Sequence, residues 1–199
     1  TLFRSVIFGT TRTLCNPLPF ILKARNKVFE RHNVKLTNDE SNALVGKALT
    51  EQLEEIHKLS GIKFDWDKFS KETKENSNEL MKGNLKAFEG MESLFEELKE
   101  KRIEIAISSQ NLKENVLFYL KEINLDKYFK KMITIEDLEK FRPHPQILEL
   151  MLKKLEQEGK DCIYVDVKKE NLVPAKKLGM KTILFENPEQ LKKELKELL

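Results

Sequence analysis

Four short polar stretches carry the residues of this 199-residue chain that could do chemistry. Gly9-Thr10-Thr11-Arg12-Thr13-Leu14 follows the apolar run Ser5 to Phe8, and Ser109-Gln110-Asn111 follows Ile103 to Ser108. Arg142-Pro143-His144-Pro145 comes after Lys131 to Ile135, and Asp166-Val167-Lys168-Lys169-Glu170-Asn171 closes the run that starts at Cys162. Ser109, Gln110 and Arg142 are candidates for holding an anion, because a hydroxyl, an amide and a guanidinium all donate hydrogen bonds to one. Covalent chemistry has less to work with. Thr11 and Cys15 are substitute nucleophiles at best, His144 is the one histidine in these stretches, and no Ser-His-Asp arrangement is present. Cys15 and Cys162 are the only cysteines and lie far apart, without neighbours at metal-ligand spacing. Neither a zinc site nor a disulfide framework is expected, and a reducing, intracellular compartment fits best.

The elements that position these stretches alternate in type. Ser5 to Gly9, Ile103 to Ser108, Lys131 to Ile135, Cys162 to Asp166 and Lys181 to Phe185 are short, β-branched or aromatic runs that read as buried strands. Helical patterns separate the last four. Asn111 to Ile123 places Val116, Leu117 and Leu120 on one side. Gln146 to Leu155 and Pro188 to Leu198 repeat apolar residues near a 3.6-residue period. This order implies βαβ crossovers: an α/β, Rossmann-like core with a parallel sheet covered by helices on both faces. In such sheets ligands sit beyond the carboxyl ends of the strands, where the polar stretches fall.

About ninety residues separate the first two strands, far more than one crossover helix needs. They are expected to form an inserted helical cap over residues 17–83, with residues 1–16 and 84–199 forming the core. Its helices are placed at Pro19 to Arg31, Asn38 to Leu59 and Trp66 to Met81, the second opened by a Thr37-Asn38-Asp39-Glu40 capping box. Ala87 to Lys101 then leads back to the sheet. Phe64, Trp66 and Phe69 read as core of the insert, and His32, His57 and His144 as surface or helix-end residues.

Composition closes off other classes. Lys plus Arg number 36 and Asp plus Glu 33, a net charge of +3 with the signs interleaved. No basic stripe interleaved with aromatics appears, so nucleic acid is not an expected partner. No apolar run approaches the roughly 18 residues of a membrane span, so membrane insertion is not expected either. The expected location is the cytoplasm, or the mitochondrion only if the Thr1 start reflects removal of a transit peptide, which trimmed numbering explains equally well.

Taken together and in order, the four stretches resemble the haloacid dehalogenase (HAD) superfamily of phosphatases. They are most similar to the phosphatase-like N-terminal domain of soluble epoxide hydrolases. Val6-Ile7-Phe8 with Thr13-Leu14 stands where the family has a strand running into an Asp-x-Asp-x-Thr or Val loop. Arg142-Pro143-His144-Pro145-Gln146-Ile147 resembles its Lys-Pro-x-Pro-x-Ile element, and Ile163 to Asp166 with Asn171 to Leu184 resembles its fourth motif. The resemblance implies phosphoryl transfer to an aspartate, a second aspartate as acid and base, Mg²⁺ held by carboxylates, and a Ser or Thr and a Lys on the phosphate. Carried over by position, the nucleophile is Gly9, the acid/base residue Thr11, the phosphate hydroxyl Ser109 and the lysine Arg142. Asp166 retains the first acidic position of the fourth motif and Val167 replaces the second.

These replacements remove the chemistry the resemblance implies. Glycine cannot attack phosphorus, a threonine hydroxyl does not exchange protons near neutral pH as a carboxylate can, and valine offers a hard cation nothing. No catalytic residue is expected at Gly9, Thr11 or Val167, and Mg²⁺ binding is expected to be lost. We expect Arg142 and Asp166 to pair, with Thr and Val side chains closing the cavity. The competing expectation is a pocket, made positive by Arg12 and Arg142, that still takes an anion. The sequence therefore reads as a pseudo-phosphatase acting as a binding or structural module, as a subunit of a larger assembly for instance. Its protein partner would dock on the helical insert or the C-terminal helix. The alternatives are a HAD-type hydrolase with residual or altered activity on a phosphorylated small molecule, and a non-catalytic sensor of anions.

Overall fold

The computed structural model describes residues 3–44, 49–63 and 65–199. They form two compact units, one of Thr1–Asn16 with Leu85–Leu199 and one of Pro17–Asn84.

The first unit is built on five parallel strands: β1 (Ser5–Phe8), β2 (Glu104–Ser108), β3 (Lys131–Ile133), β4 (Cys162–Asp166) and β5 (Lys181–Leu184). Their order in the sheet is β3-β2-β1-β4-β5. Ile7 lies between Ala106 and Tyr164, and Phe8 between Ile107 and Val165, which fixes the register of the three central strands. Successive residues of a strand face opposite sides of the sheet. Ile7, Ala106, Cys162 and Tyr164 therefore join Ile147, Leu148 and Met151 of α7 (Gln146–Leu155) and Leu172 and Ala175 of α8 (Lys169–Lys177) in one core. Phe8 meets Phe95 of α5 (Met91–Glu100), edge to face at 5.2 Å between ring centroids, and Phe95 also meets Phe129 at 5.3 Å. α9 (Pro188–Leu198) buries Leu191 and Leu195, and its Lys192 pairs with Glu97 of α5 at 2.5 Å. The sheet is covered on both faces, as the alternation of strands and helices predicts.

Boundaries shift where local chemistry overrides periodicity. Ile135 leaves β3 for a single 3₁₀ turn that Thr134 and Asp137 cap reciprocally. Residues 87–90 are non-helical, and α5 starts after Gly90, whose φ of 81° a side chain would resist. α6 (Lys113–Glu122) buries Val116, Tyr119 and Leu120, whereas Leu117 is exposed, so the buried face is one residue round from the predicted one. α8 ends in a Schellman motif: Gly179, at φ 81°, donates to the Lys176 carbonyl and Met180 to that of Ala175, each at 3.0 Å.

The second unit, the insertion, contains α1 (Leu18–Arg31), α2 (Asn38–Ala43), α3 (Leu49–Ser60) and α4 (Trp66–Met81). The helix expected over Asn38 to Leu59 is two helices, and residues 45–48 between them lie outside the described residues. The predicted capping box is present: the Thr37 amide donates to the Glu40 carboxylate at 2.8 Å, and the Glu40 amide to the Thr37 hydroxyl at 3.2 Å. Val28, Phe29, Val34, Leu44, Ile56 and Phe69 form its core, with the Phe29 and Phe69 rings stacked at 4.7 Å. Phe69 is thus core, as expected. Phe64 and the Trp66 side chain lie outside what is described. Arg25, buried in α1, donates to the carbonyl and the hydroxyl of Ser41, both at 2.8 Å. Among the described residues, no helix is long and apolar enough to cross a membrane.

Gly159 sets how closely the turn before β4 packs on the end of α8. A Cβ there would fall 1.8 Å from the Leu178 carbonyl oxygen and 2.8 Å from its carbon, with backbone on both sides. Gly159→Ala is therefore expected to destabilise the protein by about 3 kcal/mol or more in chemical denaturation. A midpoint equal to the parent's would show that the two turns are not held as described.

Candidate functional site

A cleft of about 410 Å³ lies at the carboxyl ends of the strands, and all four polar stretches of the sequence line it. Each is delivered by a different chain crossing, and the loop after β1 is the tightest. The Leu14 amide donates to the Thr10 carbonyl at 3.1 Å, and the Arg12 amide to the Cys15 carbonyl at 2.7 Å. Arg12 itself sits at φ 66°, a left-handed conformation that costs a non-glycine residue on the order of 1 kcal/mol. The turn lays Thr10 and Thr13, both buried, beneath the cleft. Thr10 donates its hydroxyl proton to Ser109 Oγ at 2.7 Å, and Asn111 Nδ2 donates to Thr11 Oγ1 at 3.0 Å, so the loops after β1 and β2 are tied side chain to side chain.

The floor is a charged network. Arg142 donates from Nη2 to the Ser108 carbonyl at 3.0 Å and to its hydroxyl at 2.9 Å, and its Nη1 stands 3.4 Å from Asp166 Oδ2. The Tyr164 hydroxyl donates to the same oxygen at 2.6 Å. Asp166 Oδ1 accepts from the Lys168 amide at 2.9 Å and from Asn171 Nδ2 at 3.1 Å. Tyr164 and Asp166 are two apart on β4 and share a face, which lets the phenol reach the carboxylate. Burial pushes the Tyr164 hydroxyl well above the ordinary phenol range, so it stays protonated and remains a donor.

Gly9, at the exit of β1, is aimed at this network. A Cβ there would meet Thr13 Oγ1 at 3.2 Å and Asp166 Oδ2 at 3.6 Å. The structure thus brings Gly9, Thr11, Ser109, Gln110, Arg142, Asp166 and Val167 to one cleft, as their spacing in the sequence implies. The pairing of Arg142 with Asp166 is present. The closure expected of the cavity is not: the Thr10 and Thr11 hydroxyls are held by Ser109 and Asn111 of the next loop, and the space above them stays open. Gln110 lines the cleft with its Nε2 buried and without a hydrogen-bond partner. Arg12, Arg142 and Lys168 against Asp166 and Glu170 leave the lining at 3 − 2 = +1.

Of the substitute nucleophiles, Cys15 is fully buried and its thiol is pushed up to about 12 by burial, so it is not a thiolate near neutral pH. His144 serves the backbone, its Nδ1 accepting from the Gln146 amide at 3.2 Å. Tyr164 and Ser108 are the network members that the sequence reading passed over. Both look like plain strand residues, and the available signal is the i, i+2 placement of Tyr164 and Asp166.

The sequence profile of the haloacid dehalogenase-like hydrolases matches residues 6–185. A phosphorylated carbohydrates phosphatase of Thermotoga maritima is 25% identical over 179 residues, 90% of this chain and 83% of that protein. The pyrophosphatase PpaX of Oceanobacillus iheyensis is 21% identical over 179 residues, 90% of this chain and 81% of its own length. The crystal structure of a T. maritima protein assigned as a beta-phosphoglucomutase superposes with a TM-score of 0.87 at 24% identity, covering 99% of this chain and 100% of that one. That likeness extends the agreement to the whole fold, helical insertion included. The chain is a member of the haloacid dehalogenase-like hydrolase family.

Proposed function

We propose that this chain is a pseudo-phosphatase: a family member that has given up phosphoryl transfer and works as a binding or structural module. Its motifs are most similar to those of the phosphatase-like domain of soluble epoxide hydrolases. One observation carries the reading. The buried carboxylate at the floor of the cleft is already engaged by four donors from Arg142, Tyr164, Lys168 and Asn171, and the position facing it is a glycine.

The residues present do not fit a magnesium ion. Val167 has no side-chain oxygen to offer, Glu170 is exposed on α8, and Asp166 would have to leave its arginine and its tyrosine to bind one. Among the described residues, no group of three His, Cys, Asp or Glu side chains is placed to hold a metal. The Arg142 guanidinium stands instead against Asp166, whose side chain is 4% exposed.

The second reading, a hydrolase acting on a phosphorylated small molecule, draws support from the named activities of the relatives and from an open cleft with a net positive lining. It lacks a nucleophile: Thr11 Oγ1 is occupied by Asn111 with no base beside it, and Cys15 is buried as the thiol. The third reading, an anion sensor, rests on the unpaired Gln110 Nε2 beside Ser109 and Arg142. Titration calorimetry with phosphate or tungstate separates it from the first.

Two outcomes are expected. The purified protein releases no phosphate from an aryl phosphate with Mg²⁺ present, and Gly9→Asp alone does not create turnover, because the new carboxylate faces Asp166 with no cation between them. Steady turnover by either protein would overturn the proposal. Arg142→Ala is expected to cost roughly 3–5 kcal/mol by leaving Asp166 buried without its countercharge. Adding Asp166→Asn should recover part of that loss, with a coupling of about 1–3 kcal/mol in a double-mutant cycle. Strict additivity would mean that the pair does not hold the floor of the cleft.

A further inference from the structure

Beside the cleft, and sharing Pro143 and Glu170 with it, runs a second groove of about 460 Å³ between the Pro143–Pro145 loop and α8. Its walls are Pro143, Pro145, Val173, Pro174 and Leu178, with Glu170 and Lys177 at the edges. That volume is within the ~300–1,000 Å³ range of sites that bury a ligand. Three of the wall residues are prolines, which carry no amide donor, and Pro174 removes one i→i−4 hydrogen bond from the interior of α8. Val173 stands 51% exposed in mid-helix while its neighbours Leu172 and Pro174 are buried. A β-branched apolar residue left in water on a helix is a poor choice for folding alone.

The segment beside the groove is basic. Residues 168–177 hold Lys168, Lys169, Lys176 and Lys177 against Glu170, so 4 − 1 = +3. All five of these side chains are exposed. Lys177 lines the groove, and the other three lysines stand on α8 or at its N-terminal cap.

We propose that this groove docks an acidic segment of a partner protein, with one or two bulky apolar side chains seated among Pro143, Val173 and Leu178 and flanking carboxylates against the lysines of α8. The prolines give no strand edge to extend, so recognition rests on the apolar anchors and on charge. The groove has no aromatic face for stacking bases, which sets a nucleic-acid partner aside. The proposal holds whether or not the neighbouring cleft turns over a substrate.

Selection of a displayed library of short random peptides on the full chain tests it. The expected survivors are rich in Asp and Glu around one or two bulky apolar residues, and they bind less tightly as salt is raised. Their affinity falls roughly tenfold in Val173→Asp and again in the Lys176→Glu, Lys177→Glu double variant. These residues are exposed, and thermal melts matching the parent would confirm that the variants are folded. Survivors that are basic or uncharged, affinities that neither variant changes, or no enrichment at all would overturn the proposal. So would self-association abolished by Val173→Asp, which would make the occupant a second copy, or binding that is reproduced only with RNA or anionic vesicles.

Discussion

The carboxylate of Asp166 is the constraint around which the carboxyl end of the sheet is organised. It is 4% exposed and its four donors come from three places: the Arg142 loop, β4 itself through Tyr164, and the start of α8 through Lys168 and Asn171. An ionised group so far from water is tolerable only when its charge and its lone pairs are all answered. Arg142 answers the charge and, through Ser108, anchors β2 to the same point. A second carboxylate at Gly9 would face Asp166, whose arginine is already engaged.

Much of this was legible before any coordinates. The five strands, their alternation with helices and the long insertion after the first follow from apolar runs of four or five residues set between amphipathic stretches, a pattern with few foldings. The four polar stretches follow too, since parallel strands deliver their exits to one edge. Less legible was whatever depends on side chains meeting across loops. The stretch from Asn38 to Leu59, read as one helix, already leaves the helix at Leu44. Leu117 turns outward because Tyr119 takes the buried place on α6. The bond of Tyr164 to Asp166 is hidden in a run that reads as ordinary strand. The cavity that threonines and a valine were expected to fill stays open, with the Thr10 and Thr11 hydroxyls held by the next loop, a direction that residue types do not disclose.

The two openings beside β4 differ in kind. The cleft is polar, floored by hydroxyls and an ion pair, and the groove next to it is walled by prolines, a valine and a leucine. They share Pro143 and Glu170, so the loop after β3 borders both. A ligand seated in either would press on the same short segment, whose arginine is fixed to Ser108 and Asp166.

The loops that make the cleft hang from a frame they do not hold up. Ile7, Ala106, Tyr164 and the helices beneath them form a core that includes neither Gly9 nor Val167. Selection for a well-packed core therefore bears on those residues and not directly on Gly9 or Val167. A change of residue at the mouth of the cleft can therefore alter what the protein binds while leaving that core's own contacts in place.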